Sequence, residues 1–290
     1  MSKALCVNRE PFFLNGKRAM VSLGPFTERH HCPYRCAFCY VQDEFGSYAT
    51  LAEDDIIKFL KNKRGQYQII YVSGDTDSFA PPRTKQGLSL LFRIASEIEC
   101  DLLFTTRTVF SEEDYETLHN IVELQKKAGK EIYACVSISR YSDSVSYLEP
   151  NPIPCPDNRI GTLEKLKRVG ATTVLAMRPF LPVVCLDDYL TILEKSKDFV
   201  DIALGESFFF IRDGMIQNRV FPNGISSDIE NQLLANQKMR FDNNNANWMI
   251  WDSAEYIHAI RNKCDEYGIV FSMHSDEAIT DYLYKKRGLF

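Results

Sequence analysis

The sequence lacks several features that would assign it to a large class of proteins. None of its apolar runs is long enough to cross a bilayer, and its first residues, MSKALCVNRE, lack the apolar stretch of a secretory signal peptide. The net charge is −5, so there is no positive excess of the kind that coats nucleic acids. There is also no internal repeat, low-complexity tract or linker. We therefore expect one globular domain in the cytoplasm, with no membrane partner.

A disulfide framework is also missing. The chain has 290 residues and an odd number of cysteines, nine, whereas disulfide scaffolds are short and secreted. We interpret most of the scattered cysteines as small buried fillers. The scattered cysteines are Cys6, Cys100, Cys135, Cys155, Cys185 and Cys264. The other three, Cys32, Cys36 and Cys39, are clustered in ERHHCPYRCAFCYVQ and need a different explanation.

After this cysteine loop, strand and helix patterns alternate regularly. Apolar strands such as YQIIYVS and DLLFTT alternate with helices such as SEEDYETLHNIVELQKKAG, where Ser111 suits the N-cap and Gly129 the stop. Counting an early strand at AMVSLG, there are about six such units. This pattern predicts a parallel sheet covered by helices, with too few units for a closed eight-fold barrel. The expected fold is α/β, an open partial (β/α)6 barrel with a C-terminal extension.

We divide the chain into an N-terminal segment (1–18), a barrel core (19–207) and a C-terminal extension (208–290). The extension is less regular, with one more helix pattern, one more strand, IVFSMH, and a polar loop, FDNNNANW. We expect it to complete the barrel and to shape the substrate site. In parallel α/β sheets, functional residues gather at the carboxyl ends of the strands. The cysteine loop directly follows the first core strand, so we expect it at that edge.

The spacing Cys-x3-Cys-x2-Cys leaves more than one metal centre open. A structural zinc site usually has four protein ligands, and His30 or His31 could supply the fourth. Closely spaced cysteines on one loop also hold a [4Fe–4S] cluster, and three thiolates would leave one iron open to a small molecule. Three classes therefore remain: a zinc-bound structural or binding module, a non-catalytic iron–sulfur scaffold, and an enzyme that uses the cluster as a reaction centre.

Cys32-x3-Cys36-x2-Cys39 followed by Tyr40 resembles the cluster motif of radical SAM enzymes. The resemblance implies that the three cysteines bind a [4Fe–4S] cluster and that Phe38 and Tyr40 lie beside the cofactor. It further implies that the open iron chelates S-adenosylmethionine and that a reductant such as flavodoxin or ferredoxin supplies the electron. The expected product is a 5′-deoxyadenosyl radical, which abstracts hydrogen from a substrate.

Two further stretches resemble the spore photoproduct lyase-like branch, over about residues 20–205. These are YVSGDTDSFAPP and PNPIPCPDNRIGTLEKLKRVGATTVLAMRPFLP. In radical SAM proteins the end of the second strand receives the methionine amino group, which makes Gly74, Asp75 and Thr76 candidate cofactor ligands. A plain turn after a strand is the alternative.

The strand in EIYACVSIS places Cys135, Ser137 and Ser139 on one face and apolar residues on the other. We expect the polar face to line the barrel interior, where the serine hydroxyls can bind the cofactor's ribose or carboxylate. Cys135 could donate a hydrogen atom in catalysis, and a packed thiol is the alternative. No cysteine here aligns with the hydrogen-donor cysteine of spore photoproduct lyase, so we do not infer thymine-dimer repair.

Two arginines are candidate ligands of the cofactor carboxylate. Arg107 follows a strand at a position where the lyase-like branch often has lysine, and its guanidinium could bind a carboxylate bidentately. Arg178, before Pro179, is the second candidate. For either residue, an ordinary surface arginine is the alternative.

The sequence indicates less about the substrate than about the cofactor site. A nucleic-acid base, a nucleotide-like small molecule and a peptide are the candidates, and the absence of a second cysteine-rich motif disfavours the peptide. The tail YLYKKRGLF combines Lys285, Lys286 and Arg287 with aromatic residues, which would suit nucleic acid, although a solvated basic tail is the alternative. Glu206 and His274 are expected to line the barrel mouth.

Overall fold

The computed structural model of the chain describes residues 12–15, 18–23, 32–39, 52–74, 76–235 and 248–286. Several residues that the sequence analysis singled out lie outside these ranges: Cys6, His30, His31, Tyr40, Asp75 and Arg287. Most of the polar loop FDNNNANW lies outside them as well.

The main sheet has eight strands in the order β1-β2-β3-β4-β5-β6-β7-β11. Its strands are β1 (Phe12–Asn15), β2 (Arg18–Val21), β3 (Ile69–Val72), β4 (Asp101–Thr106), β5 (Ile132–Ser137), β6 (Thr172–Ala176), β7 (Ile202–Leu204) and β11 (Val270–Ser272). Strand β1 is antiparallel to β2, and all later neighbours are parallel. Among the described strands β11 pairs only with β7, so the barrel is open. The predicted α/β fold with an open barrel is confirmed, and β11, from the extension, adds a seventh parallel strand.

Helices connect the parallel strands. Those of the core are α1 (Glu53–Asn62), α2 (Thr84–Glu97), α3 (Glu112–Lys127), α4 (Pro156–Arg168) and α5 (Leu186–Ser196), with 3-10 segments at Asp143–Leu148 and Lys197–Phe199. The extension contains α6 (Met215–Val220), α7 (Ser227–Glu230), α8 (Ala254–Tyr267) and α9 (Ser275–Lys286). It also forms a small antiparallel sheet of β8 (Phe209–Ile211), β9 (Leu233–Ala235) and β10 (Trp248–Trp251). No described helix is long and apolar enough to cross a membrane.

The signals that begin and end α3 show how local sequence sets the helix boundaries. The Ser111 hydroxyl accepts the N–H of Asp114 at 3.2 Å, and the Asp114 carboxylate accepts the N–H of Ser111 at 2.9 Å. This reciprocal pair satisfies two N–H groups that have no partner within the helix. Gly129 follows the helix with φ +67°, a conformation that glycine adopts without steric cost. Both predicted boundaries are confirmed.

The alternation predicted for β5 is also confirmed. Ala134, Val136 and Ile138 belong to the large core beneath the helices. Cys135 belongs to a separate cluster on the interior face, together with Tyr71 and Tyr133. Helix α9 packs into this interior face, with Ala278 fully buried and the Tyr282 ring at 6.5 Å from the Tyr133 ring. The extension therefore fills part of the barrel interior.

The scattered cysteines do not all serve as fillers. Cys100, Cys135 and Cys264 are buried, as predicted. Cys155 and Cys185 are exposed, because each occupies the N-cap position of a surface helix, α4 and α5 respectively. The interpretation as small buried fillers is therefore wrong for these two residues.

Lys285 and Lys286, the described lysines of the tail, lie at the opposite edge of the sheet from the cysteine loop. The Lys285 ammonium donates to the carbonyl of Gly268 at 2.5 Å, and the Lys286 ammonium pairs with Glu131 at 2.6 Å. Glu131 directly precedes β5 and Gly268 closely precedes β11, so both mark the amino edge of the parallel sheet. The two described lysines therefore do not line the carboxyl edge, where we expect the substrate.

Candidate active site

The cysteine loop follows β2 at the carboxyl edge of the sheet. Cys36 is buried, whereas Cys32 and Cys39 are partly buried. A turn brings the N–H of Cys39 to the carbonyl of Cys36 at 3.0 Å, and the N–H of Ala37 donates to the carbonyl of Leu148 at 2.8 Å. One backbone hydrogen bond thus stabilises the loop internally, and the other connects it to the 3-10 segment Asp143–Leu148, which we call the 3-10 segment below.

The three thiols share one electrostatic environment. Burial raises the pKa of Cys36, and the nearby Arg107 guanidinium opposes that rise, while Cys39 and Cys32 add to it. Burial also raises the pKa of Cys32, against hydrogen bonds from the backbone of Asp77 and Tyr34. Thiolates in this loop therefore need a compensating positive charge, which Arg107 supplies in part and bound metal would supply in full.

The donor set fits a [4Fe–4S] cluster better than a single ion. Three thiols on one short loop are the ligand type that iron–sulfur clusters use. The three thiols lie close enough together for Cys39 and Cys32 to raise the pKa of Cys36. A structural zinc ion would need a fourth protein ligand, and the candidates for it, His30 and His31, lie outside the described residues.

Arg107 lies directly beside the cysteine loop. Its guanidinium carbon is 5.7 Å from the centre of the Phe38 ring, and its Nε donates to Glu149 Oε1 at 3.4 Å. The charges of Cys36, Glu149 and Cys32 raise the pKa of Arg107 although burial acts in the opposite direction. The structure therefore brings together two of the residues predicted to bind the cofactor, Phe38 and Arg107.

Asp77 ties the end of β3 to the end of β4. Its buried carboxylate accepts the N–H of Arg107 at 2.7 Å and that of Phe79 at 3.0 Å, and it accepts the Thr106 hydroxyl at 3.0 Å. Burial raises the pKa of Asp77, and these hydrogen bonds counteract that rise. The sequence analysis did not assign this role. The signal was an acidic residue just past one strand end, with a hydroxyl residue at the end of the next strand.

Glu149 is the buried counter-ion of the arginines around the site. Arg159, fully buried on α4, donates through Nη1 at 3.0 Å and through Nη2 to the two oxygens of the carboxylate. Nη1 of Arg159 also donates to the carbonyl of Ser137 at 2.6 Å. Arg140 Nε lies 3.8 Å from Glu149 Oε2. Burial alone would raise the pKa of Glu149, but the positive charges of Arg159, Arg107 and Arg140 lower it.

A polar group of side chains lies on the interior face of the sheet, at Arg178, Tyr71 and Thr105. Arg178 Nη2 donates to the Tyr71 hydroxyl at 3.2 Å, and that hydroxyl lies 3.0 Å from Thr105 Oγ1. Burial raises the pKa of Cys135, whereas Arg178 and a hydrogen bond with Thr105 oppose that rise. Arg178 is thus an interior residue that reaches Tyr71 and Cys135.

Four strand ends contribute side chains to one rim, which we call the mouth row: Ser139, Arg178, Glu206 and His274. Each lies two residues beyond a set that the strand register aligns, namely Ser137, Ala176, Leu204 and Ser272. The charges of Arg178 and His274 both act on the Glu206 carboxylate, so these three side chains lie near one another. The Ser139 hydroxyl donates to the carbonyl of Arg178 at 3.1 Å. The expected position of Glu206 and His274 at the mouth agrees with this register.

Glu206 is the member of the mouth row without a hydrogen-bond donor. In the described part of the chain no group donates to its carboxylate, although the side chain is partly withdrawn from water. Burial raises the pKa of Glu206, and the charges of Arg178 and His274 oppose the rise. A carboxylate in this state is an acceptor that a ligand can satisfy.

Gly74 and Thr76 lie where the sequence analysis expected them, at the end of β3. A Cβ atom on Gly74 would stand 2.4 Å from the methyl group of Met20, so the backbone approaches the β2 side chain closely here. Thr76 is buried at the same strand end. Ser137, at the end of β5, is buried as well. Their contacts with a cofactor stay a prediction.

Comparison with known proteins identifies the class to which this fold and site belong. The family model described as the Radical SAM superfamily matches residues 30–195, more than half of the chain. The chain belongs to the radical SAM superfamily. This family uses a [4Fe–4S] cluster and S-adenosylmethionine, so the predicted cofactors and the assignment as an enzyme are confirmed, and the zinc-module and inert-scaffold alternatives are not supported.

Comparison with solved structures shows which proteins have a similar fold. A spore photoproduct lyase variant is similar with a TM-score of 0.64, 12% identity, and coverage of 88% of this chain and 82% of that one. Another variant of that lyase, with bound AdoMet and dinucleoside spore photoproduct, has a TM-score of 0.63 at 12% identity, with the same coverage of both chains. Streptococcus suis SuiB bound to the precursor peptide SuiA has a TM-score of 0.52 at 10% identity and covers 74% of this chain but 44% of its own. No curated protein sequence matches the chain. At these identities the likeness shows a shared fold, which resembles that of spore photoproduct lyase.

Proposed function

We propose that this radical SAM enzyme abstracts a hydrogen atom from a substrate that carries a nucleobase, either a base in a nucleic acid or a nucleotide. The proposal depends on one observation: the cysteine loop and the mouth row of hydrogen-bonding side chains both follow the carboxyl ends of strands in the same parallel sheet. When bound, the reduced cluster would supply the electron that cleaves S-adenosylmethionine to methionine and the 5′-deoxyadenosyl radical.

The residues of the cysteine loop side hold the cofactor in this proposal. Cys32, Cys36 and Cys39 are the metal ligands. Arg107, which already lies over Phe38, offers its guanidinium to the methionine carboxylate, since a planar fork binds a carboxylate bidentately. Gly74 and Thr76 at the end of β3 receive the amino group. Ser137 and Ser139 face the ribose, while Tyr40 and Asp75 keep the cofactor roles predicted from the sequence.

The mouth row supports the nucleobase. Glu206 offers an acceptor and Arg178 offers donors, with the charge of His274 also acting on Glu206. A base edge presents donors and acceptors side by side, so one base can satisfy both side chains. The lyase with a similar fold was solved with a dinucleoside photoproduct. A peptide is less well supported, because SuiB, with its precursor peptide, matches over 44% of its own length.

Cys135 stays our candidate for the hydrogen donor. Burial raises the pKa of Cys135, which keeps it as a thiol with a transferable hydrogen. Cys135 belongs to the interior cluster and precedes Ser137 by two residues on β5. Tyr71 is connected to it through Thr105 and could replenish that hydrogen.

The first test measures 5′-deoxyadenosine by mass spectrometry. Anaerobically reconstituted protein receives S-adenosylmethionine and a strong reductant, alone or with single-stranded oligonucleotides and nucleotides whose base and sugar hydrogens are replaced by deuterium. We expect product from the wild type, a higher rate with at least one base-containing compound, and deuterium in the 5′-deoxyadenosine. Cys36→Ala should give none.

Cys264→Ala is the matched control, since Cys264 is an equally buried thiol in α8, far along the chain from the loop. This variant should retain activity. Product without deuterium transfer from any base-containing compound would refute the substrate class but leave the radical chemistry intact. No product from a protein with a fully loaded cluster, in the presence of these compounds, would refute the proposal as a whole.

A further inference from the structure

The cysteine loop is bound from the outside by an arginine of the C-terminal extension. Arg219, on α6, donates from Nε to the carbonyl of Ala37 at 2.8 Å and from Nη2 to the carbonyl of Cys39 at 3.1 Å. The two carbonyls flank Phe38, whose ring lies beneath the Arg107 guanidinium. Arg219 and Ala37 are 182 residues apart in the chain.

Helix α6 is itself anchored, so Arg219 does not reach the loop from a loose tail. Two of its own residues, Ile216 and Val220, are buried. Phe221, at its end, packs against Phe208 and Phe210 with ring centres 6.2 and 5.8 Å apart.

The 3-10 segment Asp143–Leu148 is hydrogen-bonded both to α6 and to the cysteine loop. The Tyr147 hydroxyl donates to the carbonyl of Val220, at the end of α6, at 3.0 Å. The next residue along, Leu148, accepts the N–H of Ala37 at 2.8 Å. The cysteine loop, the 3-10 segment and α6 are therefore each hydrogen-bonded to the other two.

We propose that Arg219 is a positioning residue for the iron–sulfur cluster, which fixes the backbone around the third cysteine ligand so that the three thiols are preorganised to bind iron. Groups that orient metal ligands strongly affect metal affinity. The planar guanidinium presents Nε and Nη2 to the two carbonyls in a fixed geometry, whereas the lysine ammonium is a single atom on a flexible stem. The inference requires the cluster of this family, and it does not depend on the nucleobase assignment.

The test compares Arg219→Met and Arg219→Lys with the wild type. Each full-length protein is reconstituted anaerobically, and iron loss to EDTA is followed by the decay of the cluster absorbance. The EPR spectrum of the reduced cluster is recorded with and without S-adenosylmethionine, and thermal unfolding of each protein is recorded without iron. The control is Arg212→Met, since Arg212 belongs to the same extension and forms an exposed ion pair with Glu230 at 2.5 Å.

We expect both Arg219 variants to lose iron roughly tenfold faster or more, with a weaker spectral response to S-adenosylmethionine and an unchanged unfolding temperature of the iron-free protein. Arg212→Met should behave as the wild type. Wild-type iron retention in Arg219→Met would overturn the proposal. Retention in Arg219→Lys would overturn the requirement for a planar guanidinium, and faster loss with a matching drop in iron-free stability would reduce Arg219 to a structural role.

Discussion

At the residue scale, the centre of the site's electrostatics is a carboxylate among arginines. Glu149 is almost fully buried, and Arg159 is fully buried against it. Two charges withdrawn from water are tolerated only when they are paired and hydrogen-bonded. Because Arg107 shares the same carboxylate, the pair also fixes the arginine that faces the cysteine loop.

Arg159→Met leaves Glu149 buried without its bidentate partner. We expect the free energy of unfolding at pH 7 to fall by about 3–5 kcal/mol, measured by urea unfolding of the iron-free protein. Lys165→Met, on the same helix, removes an exposed ion pair with Glu112 and should have a much smaller effect, because solvent screens that pair. Equal effects of the two substitutions would contradict this assignment.

The difference in free energy of unfolding between the wild type and Arg159→Met should depend on pH with a defined sign. The pKa of Glu149 is lowered in the folded protein, so its ion pairs stabilise the fold above the ordinary carboxyl pKa of 4.5 and lose that effect as the pH falls through the lowered value. The wild type should therefore lose more stability than Arg159→Met as the pH falls below 4.5. If the stability difference between the wild type and Arg159→Met increased at acidic pH, that result would be inconsistent with this mechanism.

At the scale of the element, α9 shows how the extension completes the barrel. Its first residue, Ser275, accepts a hydrogen bond from Arg18 Nη1 of β2 at 2.8 Å, while Ala278 and Tyr282 contact the interior face. An open barrel of this kind exposes apolar interior residues unless another element covers them. Helix α9 is that cover.

Tyr282→Ala should destabilise the protein by about 1–3 kcal/mol, below the cost of deleting a fully buried aromatic ring because Tyr282 is only partly buried. The matched control is Tyr284→Ala on the same helix, where the side chain is 46% exposed. Chemical unfolding monitored by circular dichroism separates the two. A similar loss for both variants would show that α9 does not pack as described.

At the scale of the whole molecule, the fold does not depend on the metal centre. The parallel sheet and its helices bury a continuous core, and the cysteine loop lies at one edge of it. A structural zinc ion in a small domain contributes about 10–16 kcal/mol, so its loss unfolds the domain. We expect no such role for a cluster at the edge of a sheet whose core is already continuous.

Cys36→Ala should therefore abolish cluster binding and leave the barrel folded. We expect far-ultraviolet circular dichroism like that of the iron-free wild type and a change in unfolding free energy of about 1 kcal/mol. Loss of the cooperative unfolding transition in this variant would show that the loop is part of the folding core.

Much of the fold was predictable because its signals are local. The capping residues of α3, the glycine after it and the two faces of β5 each follow from neighbouring residues. The same holds for the cysteine spacing, since all three cysteines of the motif occupy one loop. The N-cap positions of Cys155 and Cys185 were missed because cysteine is a rare residue there and hydropathy alone suggested burial.

The sequence by itself determined the order of the elements, the parallel sheet, the cysteine motif and the family, because each is encoded in short-range spacing. Only the tertiary structure decided which distant residues meet at the site. Arg219 reaches Ala37, and Glu206 lies beside Arg178 and His274, because strand register and helix packing bring remote segments together. No local pattern specifies such pairs, since their proximity is a property of the assembled barrel.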